Sequence, residues 1–161
     1  MSCPFAALGL LPTFGLTPAV LERAYYQALQ NHHPDRTGAA LSGTAINAAY
    51  QQLKDPLQRA QVLLQQAGVD LSTQAQTYLT PTVLEALFTQ REALAEATTS
   101  AEHQAVQQAV QQAEATWWPT LEKALASNDY PAAARALVAL QSWASLKRDL
   151  AAAPTAEAPH A

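Results

Sequence analysis

Charge is what this sequence has least of. Only 14% of its 161 residues are Asp, Glu, Lys or Arg, against about a quarter in an ordinary globular domain. Gln, Ser, Thr and Asn must therefore cover much of its surface. The balance is acidic, net −4, and no basic stripe runs along it, which argues against a dedicated nucleic-acid binder. The single cysteine, Cys3, cannot form an intrachain disulfide. That fits a reducing compartment, and a cytoplasmic location is expected. Cys3 reads as a small packing residue, because no catalytic His/Cys spacing accompanies it. No run of about 18 apolar residues exists, so no membrane span is predicted. The N-terminus lacks a charged segment followed by an apolar one, so no secretory signal is expected. Strand-like alternation is missing throughout, which excludes a sheet.

What is present is helical. Apolar residues make up 49% of the chain, enough at this length to bury a core without staples. Residues 3–10 read as a short helix with Phe5 and Leu8 inward, joined by Ala6 and Gly9. Thr17-Pro18 is a helix start: threonine accepts from the first free N–H groups, and proline at the first position leaves none orphaned. Val20, Leu21, Ala24, Tyr25, Ala28 and Leu29 then recur with the helical period. This helix ends at or before His33, because Pro34 disfavours helical geometry in the residue before it. A loop with Gly38 and Gly43 follows, and Ser42 or Thr44 caps the next helix, lined by Ile46, Ala49, Tyr50 and Leu53. Asp55-Pro56 repeats the cap-then-proline signal and opens a helix that stops at Gly68.

Residues 69–81 read as a polar connection, long for a compact unit, and a domain boundary is placed there. A second helical block follows. Its first helix, residues 82–97, carries Val83, Leu84, Leu87, Phe88 and Leu94. Its second, residues 100–127, contains Pro119, which is expected to kink or split it. In residues 104–115 the Gln/Ala repetition reads as good helix formers rather than a low-complexity segment. Asp129 caps the last helix, with Ala134, Leu137, Leu140, Trp143 and Leu146 on one face. The tail, residues 151–161, has little to bury and is expected to be disordered. The predicted class is all-α: an N-terminal domain of short helices around a helical hairpin over residues 1–70, a linker over 71–81, and an antiparallel three-helix bundle over 82–150.

The one tight cluster of titratable and conformationally locked residues is Asn31-His32-His33-Pro34-Asp35-Arg36. Proline fixes a backbone dihedral and ends the helix, so His33 and Asp35 are displayed at a bend. A fixed carboxylate beside a switchable imidazole suits recognition of a cationic group such as an arginine. General acid–base catalysis, metal binding or a solvated polar helix end are alternatives from spacing alone. Metal is disfavoured: His32 and His33 are adjacent and diverge by about 100° on a helix, and Cys3 and His103 add no ligand spacing. Catalysis is disfavoured because no nucleophile elbow, paired carboxylates or glycine-rich phosphate loop accompanies the tripeptide. No cofactor, metal or enzymatic activity is predicted.

A helix running into His33-Pro34-Asp35, then a loop, then Ile46-Asn47-x-Ala49-Tyr50-x-x-Leu53-x-Asp55-Pro56-x-x-Arg59, resembles a J domain. The continuation Arg59-Ala60-x-x-Leu63-Leu64, with Arg91-Glu92-x-Leu94-x-Glu96 further on, is similar to HscB, the J-type co-chaperone of iron–sulfur cluster assembly. The resemblance covers roughly residues 5–150 and is strongest over 17–68. It implies a binding module that docks on an ATP-bound DnaK/HscA-type chaperone and stimulates ATP hydrolysis there. It assigns chaperone binding to His33, Pro34, Asp35, Arg36, Arg23, Tyr25, Asn47 and Arg59, with Asp35 engaging an arginine of the partner. It further implies that the C-terminal bundle binds the scaffold protein IscU through Leu84, Phe88, Glu92 and Glu96, which recur at a spacing of four on one helix. Leu84 and Phe88 also suit an ordinary bundle core. A J domain serving another client, or a bundle that self-associates, is the alternative.

The chain departs from the family pattern in its charges. The helix leading into the motif carries Arg23 as its one basic residue, with Arg36 beyond. Such helices normally steer toward an acidic chaperone surface. Weak docking, or a partner adapted to fewer charges, is therefore expected. His32 stands where tyrosine is common, and Ala28 where leucine is. Glu85 and Thr89 occupy positions on the scaffold face where apolar or acidic residues are usual.

Overall fold

Seven of the helix starts use the same device: a short polar side chain folds back on a free N–H of the first turn. Thr17 accepts from Val20, Ser42 from Ala45, Asp55 from Leu57, Asp70 from Ser72, Thr80 from Val83, Thr99 from Glu102 and Asp129 from Ala132. The computed structural model describes residues 3–32 and 42–154. Its elements, in order, are α1 Pro4–Ala7, α2 Pro18–Asn31, α3 Gly43–Lys54, α4 Pro56–Gln66, α5 Leu71–Gln74, a 3-10 turn Ala75–Tyr78, α6 Pro81–Glu96, α7 Ser100–Ala126 and α8 Tyr130–Ala152. No strand occurs among the described residues. The class is all-α. The chain divides into two compact units, 1–68 and 69–161.

In the first unit α3 is the hub, packing against α1, α2 and α4. Its core joins Phe5, Leu8, Leu21, Ala24, Ile46, Ala49, Leu53 and Val62. Ala6 and Gly9 are exposed, and Ala7 packs in their place. Val20 fits the apolar period but is 45% exposed, because Leu21 and Ala24 already fill the narrow face that α3 covers. Gly68 closes the unit at φ +84, a left-handed geometry that costs glycine little.

In the second unit α6, α7 and α8 pack pairwise as an antiparallel three-helix bundle. Val83, Leu87, Val106, Val110, Ala139, Trp143 and Leu146 form its core. Three expectations change here. Residues 71–78 are not an open connection: α5 and the 3-10 turn form, and the turn packs on α8. Asp70 organises them, accepting from the Ser72 N–H and hydroxyl and from the Thr73 hydroxyl. Pro119 does not split α7, which is continuous through it. A proline inside a helix costs about 3 kcal/mol, and the long packing of α7 on α8 offsets that. Finally, α8 runs on to Ala152, two residues into the expected tail. It is buried at five consecutive positions, 136–140, so it is enclosed on more than the one face that its leucine spacing indicates.

Candidate functional site

The α2–α3 hairpin presents the first candidate surface. The residues on which the sequence reading turns, His33, Pro34, Asp35 and Arg36, lie outside the described residues. What leads into them is defined. Helix α2 closes where the His32 N–H donates to the Ala28 and Leu29 carbonyls, so the motif follows one residue after a terminated helix. Tyr25 and Asn47 are brought together: the phenol donates to Asn47 Oδ1 at 2.5 Å and ties α2 to α3. The Tyr25 ring also lies on Tyr50 at 4.5 Å between centroids and against Tyr26 at 5.4 Å. Arg23 is exposed.

Arg59 is not on this surface. It is 8% exposed, and its guanidinium is spent internally. Nε donates to the Leu53 carbonyl at 2.8 Å, and one terminal nitrogen donates to the carbonyls of Phe14 at 2.8 Å and Leu16 at 3.4 Å. It also lies over the Phe14 ring, 5.8 Å from the centroid. Burial lowers its pKa below the ordinary arginine value, partly offset by the Asp55 carboxylate. Its planar fork pins the α1–α2 loop to the α3–α4 corner. The chaperone-binding role expected for it is therefore replaced by a structural one. A position in a motif does not reveal whether a side chain points outward, and here the turn at Asp55-Pro56 directs it inward.

The second candidate surface is a groove of about 620 Å³ in the bundle unit. Leu84, Leu87 and Phe88 of α6 line it, with Ala75 and Leu79 before α6 and Val138 of α8. Leu84 is 48% and Phe88 63% exposed, whereas Leu87 is buried in the core. The apolar stripe of α6 is thus wider than its core demands, and its outer edge faces solvent. Arg91 closes the polar end of the groove, bound to Asp149 at 2.9 Å and directed at the Ser145 hydroxyl at 3.4 Å.

Glu92 and Glu96 are exposed on α6 but do not line the groove. A spacing of four residues turns about 40° per step, so a row begun at Leu84 has rotated far round the helix by Glu96. Sequence reasoning missed Arg91, whose spacing of seven from Leu84 returns it to the groove. It also missed the α8 wall, more than 50 residues away in sequence. Among the described residues no group of three metal-ligating side chains converges, and no helix is long and apolar enough to cross a membrane.

Comparison with known proteins adds a lineage to this geometry. Residues 79–151 match the family model described as the HSCB C-terminal oligomerisation domain. A co-chaperone protein HscB homolog of Bordetella pertussis is 37% identical over 102 residues, 58% of this chain and 60% of the relative. The match thus spans under two thirds of the relative's length. The chaperone HscB of Vibrio cholerae has the same fold with a TM-score of 0.77 at 29% identity, over 92% of this chain and 96% of that one. The Jac1 co-chaperone of Saccharomyces cerevisiae superposes with a TM-score of 0.81 over 99% of this chain and 98% of that one; at 22% identity it attests the fold. A helical hairpin unit followed by a three-helix bundle is the architecture of a J-domain co-chaperone with a C-terminal extension. Within that class the chain is specifically similar to HscB co-chaperones, by the family match over residues 79–151 and by the Bordetella and Vibrio relatives.

Proposed function

We propose that this chain is a cytoplasmic co-chaperone with two binding ends. Through residues 1–70, a J domain, it stimulates ATP hydrolysis by a DnaK/HscA-type chaperone. Through residues 82–150 it brings an IscU-type iron–sulfur scaffold protein to that chaperone. It performs no chemistry of its own. On the chaperone side, the Asp35 carboxylate engages an arginine of the ATPase, a charge-assisted pair that suits a planar guanidinium. His33 and Pro34 hold it in place, and Arg36, Arg23, Tyr25 and Asn47 contribute from the hairpin. On the scaffold side Leu84 and Phe88 anchor, with Glu92 and Glu96 on the flank. The observation that carries the reading is the groove: a HscB-family bundle leaves a leucine and a phenylalanine in water beside a concave apolar wall, where hot-spot residues of interfaces are found. A single-turnover assay of the chaperone's ATP hydrolysis tests the first half. Stimulation is expected to disappear in Asp35→Asn; full stimulation by a variant with unchanged helical circular dichroism overturns it.

A second reading is favoured by the matched family's description as an oligomerisation domain: the same groove joins copies of this chain, or takes another client. Light scattering separates them. A dimer that Leu84→Ser returns to monomer supports self-association, and a monomer at all concentrations overturns it.

A further inference from the structure

Helix α2 has two charged residues, Glu22 and Arg23, which cancel. Its solvent face carries Val20, Glu22, Arg23, Tyr26, Gln27 and Gln30. A face of this kind cannot steer electrostatically toward an acidic surface. It offers instead Tyr26, 62% exposed against 45% for Val20, with Glu22 and Arg23 one turn before it and Gln30 one turn after.

Tyr26 does not stand alone. Its ring leans on Tyr25 at 5.4 Å with the planes 59° apart. Tyr25 lies on Tyr50 at 4.5 Å and is fixed through its hydroxyl to Asn47. The Lys54 ammonium sits 5.8 Å from the Tyr50 centroid at the far end. Two further rings in series, on two helices, brace an outer ring that would otherwise lose rotamer freedom on binding. Such preorganisation lowers the cost of association, and tyrosine is among the residues that most often dominate an interface.

Resting on the chaperone-docking reading above, we propose that α2 docks on the DnaK-type ATPase through Tyr26 rather than through positive charge. The ATPase surface opposite α2 is then weakly charged and carries apolar or aromatic groups. Continuity supports this occupant, because α2 ends one residue before the His33-Pro34-Asp35 motif.

The experiment uses the full chain and a purified HscA-type ATPase in single-turnover hydrolysis, reading the half-maximal concentration. Tyr26→Ala is expected to raise it about tenfold, as loss of an aromatic anchor does. Tyr26→Phe keeps the braced ring and stays within about twofold of the wild type. Arg23→Ala shifts it less than about threefold, and for the wild type a fourfold rise in salt shifts it by a similar amount. Tyr26 is exposed, so Tyr26→Ala keeps its helical circular dichroism. A Tyr26→Ala protein that stimulates like the wild type, or steep salt dependence together with an Arg23→Ala loss larger than that of Tyr26→Ala, overturns the aromatic docking alone. A wild-type chain that does not stimulate at all overturns the docking reading on which it rests.

Discussion

The two candidate surfaces are built in opposite ways. On the hairpin, the proposed binding motif is contiguous in sequence and the structural support is scattered: Tyr25, Asn47 and Tyr50 brace α2, and Arg59 reaches back across more than 40 residues to the α1–α2 loop. In the bundle the reverse holds. The support is an ordinary core, and the surface is assembled from the 3-10 turn, α6 and α8. The described hairpin surface is largely polar, with Tyr26 and Val20 exposed on α2; the groove is concave and apolar with a paired charge at its end. A motif announces the first kind, whereas the second is recognisable only when side chains expected in a core are found in water.

The largest expected effect tests the inward half of that contrast. Arg59→Met removes the donors held by three carbonyls while keeping much of the side-chain volume. Leaving a fully buried acceptor without a partner costs about 1–3 kcal/mol; the Leu53 bond is buried and those of Phe14 and Leu16 are part-buried, so the first unit is expected to lose about 2–4 kcal/mol. Denaturant unfolding followed by hydrogen exchange in α2 and α3 measures it. Lysine does not rescue, since an ammonium has no planar fork to span the three carbonyls. Below the variant's unfolding temperature, half-maximal stimulation of the chaperone stays at the wild-type concentration. A variant as stable as the wild type but weak in docking would return Arg59 to the binding surface.

Phe88→Ala tests the outward half. The side chain is largely exposed, so stability changes by no more than about 0.5 kcal/mol. Loss of an interface anchor weakens scaffold binding at least about tenfold by titration calorimetry. Equal affinity in the variant, or a large fall in its stability, would turn the groove back into incidental core.

Much of this organisation is written in the sequence. Thr17-Pro18, Asp55-Pro56 and Asp129 mark helix starts because capping is local chemistry, read from one or two residues. Thr80-Pro81 carries the same signal, and it moves the start of α6 to Pro81, just before the expected residue 82. Exposure is not local. Val20 and Leu84 follow the apolar period yet face water, because the period states which residues share a stripe and not how much of the stripe a neighbour covers. Arg59 fails for the same reason in the other direction. The ordered turns after Asp70 escaped because polar residues there satisfy each other through side-chain hydrogen bonds, a pattern that reads as a loop.

The smallest expected effect is a titration at one corner of the bundle unit, whose cap is charged where those of α2 and α3 are not. Helices α2 and α3 start on hydroxyls, Thr17 and Ser42, which carry no charge. The α6–α7 corner, just beyond the groove helix, is held by a carboxylate. Glu102 accepts from the Thr98 N–H at 2.7 Å and the Thr99 N–H at 2.9 Å, while the Thr99 hydroxyl accepts from the Glu102 N–H in return. The Thr98 and then the Thr99 backbone bonds hold the Glu102 pKa below the ordinary glutamate value of 4.5. A carboxyl that is more acidic in the folded state adds stability that is fully present above its unfolded pKa and is lost as pH falls through the folded one. Glu102→Ala is therefore expected to lower the thermal midpoint slightly at neutral pH, and the gap to the wild type should close below pH 4.5. Tryptophan fluorescence is a suitable probe, since Trp117, Trp118 and Trp143 all lie in the bundle unit. A gap that is constant across the acid range would mean that the corner is held by packing rather than by the charged cap.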